Sequence, residues 1–188
     1  MRALRCTGWF LCAVLAALTG CGGSGTTDKL LDEAVRDGIV TGRGSGAGEG
    51  WLEVELTLPR TDHLIITIPV GLRFTSRIAG LQDVMIARTV MLIFPGGAAP
   101  QRQTARVEIY CVQRFREFPS PGAEYQLPAF PLESTDPTRR LAEGLAGSSA
   151  DRDSRQLAIW LVSEGFLHMP RARVAQRFDH GLAGQLAA

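Results

Sequence analysis

The stretch Trp51-Leu52-Glu53-Val54-Glu55-Leu56-Thr57-Leu58 alternates strictly between apolar and polar residues after Trp51. Successive side chains of a β-strand point to opposite faces of the sheet, so a period of two predicts a strand that is buried on one face. Pro59-Arg60-Thr61-Asp62 follows, and proline and aspartate at these places favour a turn. The segment therefore predicts a sheet with one buried face.

Further short strands are predicted on the C-terminal side of this segment. They are expected at 64–69, 72–74, 84–86, 89–94 and 104–113. Turns such as Pro95-Gly96-Gly97 separate them, and the glycine-rich stretch 42–50 is expected to be a mobile loop. Closely spaced short strands with glycine and proline turns predict a mainly β protein with an immunoglobulin-like β-sandwich.

Helices are predicted only after the strands. Asp136 is expected to be the N-cap of the first helix, with Pro137 at its first position. This helix is expected to end near 144–147, where two glycines occur.

A second helix is predicted to begin at Asp153 or Ser154, either of which would cap it, and to end at Glu164. Its predicted apolar face carries Leu157, Trp160 and Leu161. A weaker third helix is predicted within 171–186. The sandwich therefore has two or three helices on its C-terminal side.

The N-terminal residues show the order of an export signal. Arg2 and Arg5 precede the apolar stretch 8–18, and Leu18-Thr19-Gly20-Cys21 follows. This order is typical of a secretory signal, and the apolar stretch is shorter than the roughly 20 residues that span a bilayer. The cysteine makes the segment resemble a bacterial lipoprotein signal. The resemblance implies removal of residues 1–20 and lipidation of Cys21, whereas an ordinary secretory signal cleaved nearby is the alternative.

The rest of the chain divides into three predicted parts. Residues 21–32 form a lipidated N-terminus with a flexible tether, 33–168 form the β-sandwich domain with its helices, and 169–188 form a weakly helical tail. The stretch 30–40 is ambiguous between a short helix and a turn that leads into a strand at 37–41. The predicted location is the cell envelope, in the periplasm or on the cell surface, with the membrane bound through the lipid.

Charge and cysteine content limit the classes of function. Loss of Arg2 and Arg5 with the signal leaves 18 basic and 19 acidic residues, a net charge of −1, which gives no general attraction to nucleic acid. Two of the four cysteines leave with the signal and Cys21 carries lipid, so Cys111 is alone. Such a cysteine has an intermolecular partner, is a reactive thiol or is buried and inert. The three histidines are dispersed, and neither a metal site nor a cofactor is predicted.

Two short motifs point to a candidate site. Tyr110-Cys111 lies at the end of a predicted strand, and Gln156-Leu157-Ala158-Ile159-Trp160 lies near the start of a predicted helix. Together they resemble the thioester domains of bacterial surface adhesins, in which a cysteine sulfur and a glutamine carbonyl form an internal thioester that captures nucleophiles. The resemblance implies that Cys111 supplies the sulfur and Gln156 the acyl group. Tyr110 and Trp160 would be supporting residues.

The chemistry of such a bond can be derived from the residues. A thiolate attacks a primary carboxamide and expels ammonia when the two groups are held together. Gln156 is expected in the first turn of its helix, where unpaired backbone N–H groups stabilise negative charge. The same groups are expected to lower the pKa of the Cys111 thiol.

Simpler interpretations of these residues stay open. Cys111 shares a strand face with Val107 and Ile109, and a free cysteine is commonly a small buried residue. A thiol hydrolase that pairs Cys111 with His63 or His168 is a further alternative. We expect a non-enzymatic binding or structural module of the envelope, with an envelope or surface protein as its partner. The thioester module is the alternative.

Overall fold

The computed structural model describes residues 27–130 and 133–165. The signal, Cys21, His168 and the predicted third helix lie outside these residues. The elements in chain order are β1 (Thr27–Leu30), α1 (Leu31–Arg36), β2 (Thr41–Gly46), β3 (Trp51–Leu58), β4 (His63–Ile68), β5 (Arg73–Ser76), β6 (Val84–Ile86), β7 (Val90–Pro95), β8 (Gln101–Cys111), β9 (Glu124–Gln126), α2 (Pro137–Leu145) and α3 (Arg152–Ser163).

The strands form two sheets. Six of them close into a barrel in the order β2-β3-β8-β6-β5-β9, and β1, β4 and β7 form a separate three-stranded sheet. The mainly β class is confirmed, but the closed barrel differs from the predicted immunoglobulin-like sandwich. The reason is β9, a three-residue strand whose Tyr125 pairs with both β2 and β5 and thereby joins the two free edges.

The alternating strand β3 has the predicted one-sided burial. Its four apolar residues Leu52, Val54, Leu56 and Leu58 have no exposed surface, whereas the intervening side chains are exposed or half-buried. β3 pairs antiparallel with β2 on one side and with the long strand β8 on the other. The apolar side chains therefore fill the barrel core.

The glycine-rich stretch that was predicted to be a loop begins with strand β2. The strand pairs with β3 along its whole length and with β9 near its end. A Cβ atom at Gly46 would overlap the backbone oxygen of Ser120. Glycine therefore permits the close approach of two backbones here. A glycine-rich composition is the same for a flexible loop and for such a closely packed strand, so the sequence alone did not distinguish them.

Regular structure begins earlier than the sequence predicts. Thr27–Leu30, expected to belong to the tether, forms β1 and pairs parallel with β4. Leu31–Arg36 forms α1, so the short helix is the correct alternative for the ambiguous stretch. Leu31 and Ala34 of this helix are fully buried, and their burial explains why the segment is ordered.

Helix α2 begins as predicted, whereas the N-cap of α3 lies two or three residues earlier than predicted. The Asp136 carboxylate accepts hydrogen bonds from the backbone N–H groups of Thr138 and Arg139. The N-cap of α3 is Asp151, whose carboxylate accepts a hydrogen bond from the Ser154 backbone N–H at 2.9 Å. Among the described elements, no helix is both long and apolar enough to cross a membrane.

The buried face of α3 also differs from the prediction. Its buried residues are Arg155, Gln156 and Ile159. Leu157, predicted to be on the apolar face, is exposed. A second small core, which includes Tyr110, Val112 and Ile159, lies between the barrel and the two C-terminal helices. The C-terminal end of β8 is therefore covered on both faces.

Candidate functional site

The structure brings Cys111 and Gln156 together. The Gln156 side-chain carbonyl oxygen accepts a hydrogen bond from the Cys111 backbone N–H at 2.9 Å. The Gln156 side-chain amide in turn donates to the Cys111 backbone carbonyl at 2.7 Å. Both residues are buried. A contact across 45 residues of sequence therefore joins α3 to the end of β8.

The unequal lengths of two paired strands explain this contact. Pairing of β3 with β8 ends where Trp51 lies opposite Glu108, and the last backbone bond on this side runs from Ile109 N–H to the Gly50 carbonyl. Backbone groups alternate in direction along an antiparallel strand, so those of Cys111 face the same side, beyond the end of β3. The Gln156 carboxamide satisfies both groups as a neighbouring strand would.

Two further side chains at the end of α3 bind the backbone that follows Cys111. The Ser163 hydroxyl donates to the Val112 carbonyl at 2.8 Å. The Glu164 carboxylate accepts from the Arg114 backbone N–H at 2.8 Å. Sequence reasoning missed both residues. Their spacing of seven and eight from Gln156 places them on one helix face, which is the signal that would have identified them.

Burial keeps the Cys111 thiol protonated. Cys111 is 1% exposed. Loss of solvation raises the pKa of its thiol to about 12, and the smaller effect of Arg152 acts in the opposite direction. The expected lowering of this pKa is therefore wrong. The thiolate, which is the nucleophilic form, is a minor species at neutral pH.

Gln156 does not lie in the first turn of its helix, as the sequence predicted. Because α3 begins at Arg152, Gln156 is its fifth residue. The unpaired N–H groups of a helix belong to its first turn. The expected stabilisation of an oxyanion by these groups therefore has no support in the geometry.

Tyr110 and Trp160 lie near the candidate pair but contact other residues. The Trp160 ring packs against Phe118, with ring centroids 6.3 Å apart. Tyr110 is fully buried, and the Arg155 guanidinium carbon lies 6.0 Å from its ring centroid. Loss of solvation raises the pKa of the Tyr110 hydroxyl.

Arg155 is a buried cation that sequence reasoning also missed. It is 6% exposed, and a guanidinium nitrogen lies 3.5 Å from a carboxylate oxygen of Glu108. Glu108 also pairs with Arg88 at 3.1 Å. Arginine and glutamine side by side in a helix predict a solvent-exposed position, so the sequence does not indicate that Arg155 is buried. Only the docking of α3 on β8 shows it.

The structure separates His63 from Cys111. His63 begins β4, and the carbonyl of its neighbour Asp62 accepts a hydrogen bond from Gln101, the first residue of β8. Cys111 is the last residue of that strand, and 11 residues of strand span about 33 Å. The hydrolase pair with His63 is therefore not assembled. No group of three His, Cys, Asp or Glu residues suited to a metal ion occurs within 27–130 and 133–165.

Comparison of the chain with protein-family models, with curated proteins and with solved structures finds no match.

Proposed function

We propose that the chain is an exported lipoprotein, anchored through Cys21, that acts in the cell envelope as a non-enzymatic binding or structural module. The observation that carries the proposal is the sequence Leu18-Thr19-Gly20-Cys21 after a charged and then apolar start. Two or more acyl chains on Cys21 would hold the domain stably on a membrane. A surface or envelope protein is the class of partner we propose.

Two features of the fold support a structural or binding role over a catalytic one. Gln156, the candidate acyl donor, makes both of its side-chain hydrogen bonds to backbone and joins α3 to β8. The thiol of Cys111 is buried and protonated at neutral pH. The contact between these two residues therefore serves to hold α3 on the barrel.

Metabolic labelling with an alkyne fatty acid tests the anchor. The wild-type chain is expected to incorporate the label, and Cys21→Ser is expected to abolish it. Cys12→Ser is the matched control, because Cys12 lies in the apolar stretch of the signal and its loss is expected to leave labelling unchanged. Labelling that persists in Cys21→Ser would contradict the proposal.

A thioester module is the second candidate function, and the contact between the Gln156 carboxamide and Cys111 favours it. The Cys111 sulfur would attack the Gln156 carbonyl carbon. The C–N bond would break, the thiol proton would leave with the amide nitrogen as ammonia, and the new S–C bond would be open to attack by a partner amine. The carboxamide would first have to release its two bonds to the Cys111 backbone.

The intact mass of the full chain carrying Cys6→Ala, Cys12→Ala and Cys21→Ala, in which Cys111 is the remaining cysteine, separates the two functions when the protein is purified without amines. The structural role predicts the full calculated mass. Unfolding in denaturant should then expose the Cys111 thiol to alkylation at pH 8, because burial is the main cause of its raised pKa. A mass lower by one ammonia, with no free thiol until methylamine is added and no such deficit in Cys111→Ala, would instead establish the thioester.

A further inference from the structure

A cavity lies at the opposite end of the barrel from Cys111. Its volume is about 500 Å³, within the range of roughly 300–1,000 Å³ that small-molecule sites occupy. Its apolar wall is formed by Ile39, which is half-buried, and Leu64, which is 4% exposed, next to the fully buried Leu58. The rest of the lining consists of polar residues of β1 and of the turn after β3, of His63, and of Pro95 and Gly96.

The buried residue Gln101 holds the turns around this cavity in place. Its side-chain amide donates to the backbone carbonyls of Arg60 and Asp62, at 3.0 Å each. Its side-chain oxygen accepts from the Gly96 backbone N–H at 2.9 Å. The turn after β3 and the turn after β7 are therefore joined by one side chain. A cavity formed by such turns is preformed, which lowers the cost of ordering it around a ligand.

The polar lining offers donors to an anion. Arg60 is exposed and makes no ion pair with any residue of the described chain. Nδ1 of His63 is buried and has no hydrogen-bond partner in the described structure. Lys29 also lines the cavity, although its ammonium group is 3.0 Å from the Asp37 carboxylate. The opposing charge in the lining is the carboxylate of the exposed residue Asp62.

From this arrangement of an apolar wall, an unpaired arginine and an unpaired histidine nitrogen, we propose that the cavity binds a phosphate-bearing amphiphile. The phosphate would lie against Arg60 and His63, and a short apolar segment against Ile39 and Leu64. Arginine is suited to phosphate because its donors form a planar fork.

The membrane is the source of this ligand that fits the proposed anchor, and this step rests on the proposed function. Thr27 lines the cavity and is six residues from Cys21. Six residues of extended chain reach at most about 20 Å. A lipid on Cys21 would therefore keep the cavity near phospholipid headgroups. A soluble phosphate compound has the same chemistry and is the other source.

Calorimetric titration of the full chain carrying Cys21→Ala tests the cavity without an acyl chain of its own. The probes are dihexanoyl phosphatidylglycerol below its micelle-forming concentration, and inorganic phosphate. We expect saturable binding of the lipid and a loss of at least about tenfold in affinity in Arg60→Gln, because an arginine–phosphate contact is a charge-assisted hydrogen bond. Arg102→Gln is the matched control, since Arg102 is exposed at the start of β8 and does not line the cavity, and we expect a change of less than twofold.

The outcomes distinguish a lipid headgroup from a soluble phosphate compound as the ligand, and both from the absence of a binding site. Binding of the lipid alone that depends on Arg60 supports a headgroup site, and equal Arg60-dependent binding of inorganic phosphate supports a soluble ligand. Asp62→Asn should strengthen either one, because it removes the negative charge of the lining. No saturable binding of either probe, or equal effects of Arg60→Gln and Arg102→Gln, would overturn the proposal. The titration uses a chain without Cys21 and therefore does not test the lipid anchor. A negative titration would overturn the proposed cavity ligand and leave the fatty-acid labelling result unaffected.

Discussion

At the scale of single residues, Gln156 shows how one polar side chain can complete a sheet. The backbone N–H and C=O of Cys111 are buried beyond the end of β3, and unpaired buried backbone groups are costly. The carboxamide oxygen and one of its N–H groups lie at a separation that matches them. This matched geometry explains why a buried glutamine, rather than an apolar residue, occupies this position of α3.

Gln156→Leu is expected to destabilise the fold by about 2–4 kcal/mol, because it leaves one buried donor and one buried acceptor without partners. The measurement is the free energy of unfolding in denaturant. Leu157→Ala is the control from the same helix, and it should cost clearly less because Leu157 is 40% exposed. Equal costs for the two variants would show that the two bonds of Gln156 contribute nothing measurable.

At the scale of elements, strand β2 depends on glycine for a spatial reason. Its backbone lies against the Ser120 carbonyl and, at Gly44, against the Tyr125 side chain. Any larger residue would displace one of these neighbours, since interiors are closely packed. The strand therefore needs the residue type that usually weakens strands.

Two glycine-to-alanine substitutions are expected to change the stability of the fold in opposite directions. Gly46→Ala should destabilise the fold by about 1–3 kcal/mol, because its Cβ would overlap a backbone oxygen. Gly144→Ala, in the exposed part of α2 with open space around it, should stabilise the fold by about 0.5–1 kcal/mol. Melting temperatures of the two variants and the wild type test this, and a stabilising Gly46→Ala would contradict the packing described for β2.

At the scale of the whole molecule, closure of the barrel depends on the short strand β9. Tyr125 is fully buried, pairs with two strands and donates a hydrogen bond from its hydroxyl to the Gln82 carbonyl at 3.2 Å. Without this strand, β2 and β5 would be free edges. A closed sheet has no edges that could pair with another chain.

Substitutions of Tyr125 measure separately the contributions of its hydroxyl hydrogen bond and of its buried ring to stability. Tyr125→Phe should cost about 1 kcal/mol, the usual net value of one hydrogen bond. Tyr125→Ala should cost about 3–5 kcal/mol, because it also leaves a large cavity in the core. Met91→Ala, at a side chain that is 67% exposed, is the control and should change stability by less than about 0.5 kcal/mol. Unfolding in denaturant checks all three values, and a Tyr125→Ala cost near that of the control would mean that β9 does not close the barrel.

The sequence by itself determined the elements with strong local signals. The alternation of residues 51–58 identified β3 and its buried face, and Asp136-Pro137 identified the start of α2. Both signals are local, because side-chain period and capping depend on neighbouring residues. The motifs also led to Cys111 and Gln156, whose backbone contact the structure contains.

Only the tertiary structure decided how these elements are used. Closure by β9, the strand character of the glycine-rich stretch and the buried face of α3 all depend on residues distant in sequence. The pKa of Cys111 likewise depends on how deeply the assembled fold buries its thiol. The sequence-based expectation considered only a nearby helix N-terminus and therefore gave the wrong direction. The physical reason is that packing and solvation are properties of the assembled molecule, whereas period and capping are properties of a short segment.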